Sequence, residues 1–150
     1  MTTAHTLKEE LSAVSRYLDQ ELLQLNGKVK REFYLDPEVD GQTPIPRNLM
    51  RVFVEDALRN DLLDELPDAT LSISLHRTSL GILIMIADSG FRSDNGLSTH
   101  QQESEGLKIL SSYLPVFNRT NKVDVSYKVL NLTSENGSPG TRVMITIRDQ

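Results

Sequence analysis

From Leu80 to Asp88 the chain is apolar at almost every position, and no other feature constrains its fold as much. The uninterrupted stretch, Gly81 to Ala87, is far short of the roughly 20 residues a membrane helix needs. It therefore predicts a central strand, covered on both sides. The segment before it, Thr70 to Arg77, alternates: Leu71, Ile73 and Leu75 against Ser72, Ser74 and His76. That pattern is a strand with one wet face, and a tight connection around Thr78-Ser79 makes the two a hairpin. His76, on the wet face, is expected to be a solvated surface residue.

A central strand needs neighbours and a cover, and the rest of the chain supplies both. Thr6 to Leu25 reads as a helix. Leu7, Leu11, Val14, Leu18, Leu22 and Leu25 recur at spacings of three and four, giving one apolar stripe. Thr6 and Glu9 have the spacing of a capping box, and Asn26-Gly27 supplies the stop. The stripe fits packing on its own domain or a seam for a partner helix; the first is the ordinary use. Val29 to Leu35 alternates as a strand. After Pro46 a helix is expected from Arg47 to Leu63, with Met50, Phe53, Val54, Ala57 and Leu58 on its apolar face. Phe91 to Glu105 is polar without periodicity and reads as a loop. Gly106 to Phe117 resumes helical spacing through Leu107, Leu110, Leu114 and Phe117, with Pro115 expected to disturb the last turn. Two alternating strands, Val123 to Leu132 and Thr141 to Arg148, close the chain. The order α-β-α-β-β-loop-α-β-β predicts an α+β two-layer sandwich: a mixed, largely antiparallel sheet with helices on one face.

Composition removes several function classes. The 150 residues hold 16 Lys+Arg against 21 Asp+Glu, a formal net charge of −5. That balance argues against nonspecific nucleic-acid binding, which depends on cations at phosphates. The chain has no cysteine, so thiol catalysis and Cys-ligated zinc are excluded. It has no Gly-Lys-Ser/Thr phosphate loop, no Gly-x-Gly-x-x-Gly and no Gly-x-Ser-x-Gly. His5, His76 and His100 lack paired metal spacing. Met1 to Glu10 is polar, unlike a secretory leader, and a cytoplasmic domain without membrane insertion is expected.

Three places concentrate polar groups beyond what a fold needs. Glu55, Asp56, Arg59 and Asn60 cluster on the second helix, where Glu55 and Arg59 have the spacing of a surface ion pair and Asp56 and Asn60 share a face. Asp88, followed by Ser89-Gly90, delivers a carboxylate at the end of the buried strand. Gly106 opens a helix, whose free N–H groups suit a phosphate. Each has an ordinary reading as well: the ion pair, a turn at Asp88, and a loop glycine.

Their order and spacing carry a resemblance. Val54-Glu55-Asp56-Ala57-Leu58-Arg59-Asn60 after Ile45-Pro46 resembles the N-box of the GHKL ATPases. Asp88-Ser89-Gly90 is similar to the first glycine box, Glu105-Gly106-Leu107-Lys108 to the second, and Gly140-Thr141 to the closing Gly-Thr. Thr6-Leu7-Lys8-Glu9-Glu10-Leu11 with Tyr17-Leu18 is similar to the segment upstream of the ATPase domain in LytS-type sensor histidine kinases. The resemblance covers essentially the whole chain. It implies a Bergerat-type (histidine-kinase ATPase) fold, with residues 1–27 as a helix joining a phosphoacceptor segment outside the chain and 28–150 as the ATP-binding domain.

The resemblance also implies roles. Glu55 matches the N-box acid, and Asp56 takes the place of the asparagine that holds Mg²⁺. Arg59 and Asn60 match positions near the phosphates. Asp88 matches the acceptor for the adenine amino group, with Gly90 letting the base approach and Thr141 supplying a hydroxyl nearby. Gly106 and Leu107 match the lid-to-helix junction at the phosphates. The implied activity is that of a two-component histidine kinase domain, a transferase in signal transduction. It would present the γ-phosphate of ATP to a histidine outside this chain, because no Pro-His-Phe segment is present and His5 stands in Ala-His-Thr. The implied partners are that phosphoacceptor domain, a response regulator, and a second copy through the parent protein. The chain departs from the family pattern at Asp56, Asp61, Arg92 and Glu105. Added acids and missing glycines would weaken ATP and Mg²⁺ binding unless Arg92 or Lys108 turns inward. The alternative expectation is therefore a degenerate Bergerat module for regulation or dimerisation. A third is ATP hydrolysis, with Glu55 polarising a water.

Overall fold

The computed structural model describes residues 5–24, 29–58, 69–89, 105–133 and 139–149. The elements are α1 (Leu7–Gln24), β1 (Val29–Leu35), α2 (Arg51–Leu58), β2 (Ala69–Thr78), β3 (Gly81–Ser89), α3 (Glu105–Asn121), β4 (Val123–Thr133) and β5 (Pro139–Asp149). The strands form one mixed sheet in the order β1-β2-β3-β5-β4. Only β1 and β2 run parallel; the other three pairs are antiparallel. This is the expected α+β sandwich.

Strand parity fixes the two faces. Leu71, Ile73 and Leu75 of β2, Ile82, Ile84 and Ile86 of β3, and Val143, Ile145 and Ile147 of β5 are all buried. They share one core with Leu7, Val14 and Leu18 of α1, Val52, Phe53 and Val54 of α2, and Leu107, Leu110, Leu114 and Phe117 of α3. The α1 stripe thus packs on the same core as the sheet. β3 is central, as expected, but among the described residues it is not covered on both sides. Leu83 and Met85 face away from the core and are half-buried, by strand neighbours rather than by helices. An apolar residue on an open sheet face gains most of its cover from the adjacent strands, so a continuous apolar run does not require a second layer. His76 on that face is also half-buried, not simply solvated: its ring lies 5.3 Å from that of Tyr34.

The capping box at the start of α1 is formed. Glu9 N–H donates to Thr6 Oγ1 at 3.2 Å, and Thr6 N–H donates to Glu9 Oε1 at 2.9 Å. The hairpin between β2 and β3 turns one residue later than expected, at Ser79-Leu80, and Gly81 has φ 150°. A Cβ on Gly81 would stand 2.0 Å from the carbonyl oxygen of Ile147, so only glycine fits. α2 begins at Arg51 rather than Arg47, because Asn48 takes a left-handed φ of 70° that breaks the helix before it; residues 59 to 68 lie outside the described part. α3 runs through Pro115 to Asn121. Pro115 sits on the exposed side, while Asn118 holds the last turns against β4: its Nδ2 donates to the Val125 carbonyl at 3.1 Å, and its Oδ1 accepts the Val125 N–H at 2.9 Å. That anchor, with buried Leu114 and Phe117, outweighs the missing backbone bond at proline.

Candidate functional site

The position of α2 rests on a residue that the sequence reading passed over. Glu10, in the first turn of α1, keeps only 1% of its surface exposed. Its Oε1 accepts the Asn48 N–H at 3.1 Å and pairs with His5 Nε2 at 2.7 Å. Its Oε2 accepts the N–H groups of Met50 and Arg51, each at 3.0 Å. These are backbone donors at the start of α2 that no intrahelical carbonyl can satisfy. A carboxylate there also meets the positive end of the helix dipole. One signal was available: Glu10 is three residues after Leu7 and four before Val14, so the acid lies in the apolar stripe.

With its start fixed, α2 carries Glu55 and Asp56. Glu55 Oε2 is 3.2 Å from Arg51 Nε, four residues earlier. Among the described residues Glu55 pairs with Arg51; the pair with Arg59 falls on a residue outside them. The Arg51 guanidinium also lies over the Tyr17 ring, 4.9 Å from its centre. Asp56 is half-buried and four residues beyond Val52, so the two share a face of α2. Val52 meets the start of α3, where a Cβ on Gly106 would be 3.3 Å from Val52 Cγ2. Glycine at 106 therefore serves the approach of α3 to α2. Asp56 lies one helical turn along from that contact, and Leu107 beside it is buried. Glu105, in the first turn of α3, and Lys108 are exposed.

Asp88, next to last in β3, continues the line of Ile82, Ile84 and Ile86 on the face toward the helices. Its register partners are Leu71 in β2 and Thr141 in β5. The sheet therefore brings two nominated positions, 88 and 141, side by side at one end. Arg59, Asn60, Asp61, Gly90 and Arg92, and the rest of the expected loop up to residue 104, lie outside the described residues. So do Leu25 and the stop at Asn26-Gly27.

Between α2 and α3 lies a cleft of about 680 Å³, with Glu55 and Gly106 in its walls together with His5, Arg47, Tyr113 and Phe117. Asp56, Asp88 and Leu107 are not in its lining. The nominated residues thus divide between the end of the sheet, the α2–α3 junction and this cleft. Among the described residues no group of three or more His, Asp or Glu side chains is placed to hold a metal ion, and no helix is long and apolar enough to cross a membrane.

No family model and no curated protein matches the chain. Solved structures do. The Acinetobacter baumannii histidine kinase AdeS superposes with a TM-score of 0.55 at 16% identity, over 100% of this chain and 70% of that one. The catalytic domain of histidine kinase ThkA gives 0.53 at 14% identity, over 99% and 97%. The histidine kinase domain of the Erythrobacter litoralis EL346 blue-light activated kinase gives 0.56 at 12% identity, over 99% and 69%. The fold is that of histidine kinase catalytic domains.

Proposed function

We propose that this chain is the ATP-binding catalytic domain of a two-component sensor histidine kinase, of the LytS type, presenting the γ-phosphate of ATP to a histidine held on another segment or chain. The observation that carries the reading is Asp88, at the helix-facing end of the central strand with Thr141 as its register partner. A carboxylate there can accept the adenine amino group. Gly90 would leave room for the base and Thr141 would act beside it.

A carboxylate on α2 would suit the metal as well. Mg²⁺ is usually held by one or two carboxylates, with substrate phosphates and water completing its shell. Asp56, on the α2 face that meets the start of α3, would be that carboxylate. The N–H groups at Gly106 and Leu107 would face phosphate oxygens, as helix N-termini do, with Arg59 and Asn60 alongside. Glu55 would be the N-box acid; it is held by Arg51, which fixes its orientation. α1 would continue toward the phosphoacceptor segment, with residues 28–150 forming the nucleotide-binding part. The ThkA kinase has been solved in complex with the response regulator protein TrrA, which supports a partner of that kind here. The domain would work in the cytoplasm.

The test is a thermal melt with and without Mg²⁺-ATP. Ligand at 100 times Kd adds about 2.7 kcal/mol, a rise of roughly 5–10 °C for this length. The shift should need Mg²⁺ and vanish in Asp88→Ala. No shift at millimolar nucleotide, or an equal shift in Asp88→Ala, overturns the reading; the first result would leave a regulatory module without nucleotide.

A further inference from the structure

The sheet ends in an edge that the described residues leave open. β1 is the outermost strand, and every residue from Lys30 to Leu35 is exposed. Three consecutive ones are large and apolar: Phe33 is 57% exposed, Tyr34 51% and Leu35 43%. Their register with Ile73 and Leu75 puts Phe33 and Leu35 on the helix side of the sheet, while Tyr34 meets His76 on the other side. Neither face of this margin is covered. The backbone is open there as well. Asp36 N–H donates to the Leu75 carbonyl at 3.0 Å, and in a parallel ladder successive residues point their groups alternately to either side. The even positions of β1 therefore face β2. The N–H and C=O groups of Val29, Arg31, Phe33 and Leu35 face away from it, without a backbone partner among the described residues. Such a row beside exposed apolar side chains is a template for another strand.

The charges of the strand select its occupant. A second copy can pair antiparallel with this edge about a two-fold axis perpendicular to the sheet. Both helix layers then lie on one side, and residues of like parity stand opposite one another. An axis at Lys30, Arg31 or Glu32 would set that charge against its own copy, and an axis at Tyr34 would set Glu32 against Asp36. Like charges directly opposite are destabilising. At Phe33 the axis sets ring against ring, Tyr34 against Glu32 and Leu35 against Arg31, and it brings Lys30 opposite Asp36. Lys30 and Arg31 balance Glu32 and Asp36, so this edge has no net charge to repel its copy.

We propose that the chain forms a two-fold dimer in which β1 pairs antiparallel with β1 of a second copy, centred on Phe33, joining two five-stranded sheets into one. The pairing uses the β1 edge of both copies, so association stops at two. Sedimentation equilibrium of the 150-residue chain, without nucleotide, should show the mass rising to that of a dimer and no further between about 10 µM and about 1 mM. Phe33→Lys, at an exposed position, sets like charges on the axis and should leave the chain folded and monomeric. The chain has no cysteine, so single replacements report the register. The two copies of residue 33 would lie about 5.5 Å apart at Cα, within disulfide reach. The two copies of residue 35 would be offset by four positions, roughly 14 Å. Under mild oxidation Phe33→Cys should therefore give a disulfide-linked dimer, and Leu35→Cys, on the same face, should not. A monomer throughout the range, a dimer that survives Phe33→Lys, or equal crosslinking of the two cysteine variants would each overturn the proposal. Nucleotide is absent from every arm, so no outcome bears on ATP binding at Asp88.

Discussion

Glu10→Ala removes one buried carboxylate and strands four groups at once. Met50 N–H is the worst placed, because its bond to Glu10 is buried; those of Asn48, Arg51 and His5 are only part-buried. A buried donor left unsatisfied costs about 1–3 kcal/mol. Water entering the space of the lost side chain would recover part of the other three. The helix also loses its cap, worth about 1 kcal/mol. Together the loss should be about 3–5 kcal/mol, as for breaking other buried charge networks. That is a large share of the roughly 5–15 kcal/mol that holds a domain together. Urea unfolding of the variant should show a lower midpoint with an unchanged slope. In a thermal melt the loss corresponds to about 6–20 °C. Glu10→Gln is the graded control. Its carbonyl can still accept from Met50 and Arg51, but its amide turns a donor toward the Asn48 N–H, so it should cost roughly 1–3 kcal/mol. A loss below about 1 kcal/mol in Glu10→Ala would refute the reasoning. It would mean that α2 keeps its position without this carboxylate.

Two further predictions concern the frame around the site. Asp36 has a carboxyl held below its ordinary value of 3.8, first by the Glu38 N–H and then by the Arg77 N–H; Glu9 is held below 4.5, mainly by the Thr6 N–H. In both cases the folded state binds protons less readily than the unfolded one. Their stabilisation is therefore complete above the unfolded values and is lost as pH falls from about 4.5 downward through the lowered folded values. Urea midpoints measured at descending pH should fall across that window, and Asp36→Asn should flatten part of the slope; an unchanged slope would discount Asp36. Asn118→Ala removes both bonds to Val125 and should cost about 1–3 kcal/mol in the same assay, with hydrogen exchange rising first in the last turn of α3.

What could be read from the chain, and what could not, follows the range of the interactions. The α1 stripe, its capping box and the alternation of β2 are local patterns, set by residues two to four apart, and they appear as expected. The errors sit where a distant partner decides. Pro115 reads as a break because its lost backbone bond is local, whereas the compensation comes from Val125 in the next strand. Arg47 reads as the start of α2, but the helix begins where Glu10, some forty positions earlier, can reach the free N–H groups. β3 reads as covered on two sides because its residues record only that they avoid water, not whether a helix or a neighbouring strand excludes it. The candidate site shows the same division. Asp88 and Gly106 are visible as motifs in order, while the pairing of Asp88 with Thr141 exists only once β5 lies beside β3. The acid at position 10 belongs to no motif, yet it joins α1 to the start of the helix that carries Glu55 and Asp56. A substitution at Glu10 would therefore disturb the α2 side of the site while leaving the β3–β5 register intact. On the proposed nucleotide-binding reading, metal-dependent steps would suffer before recognition of the base does, the order expected of a site whose two halves are held by different parts of the fold.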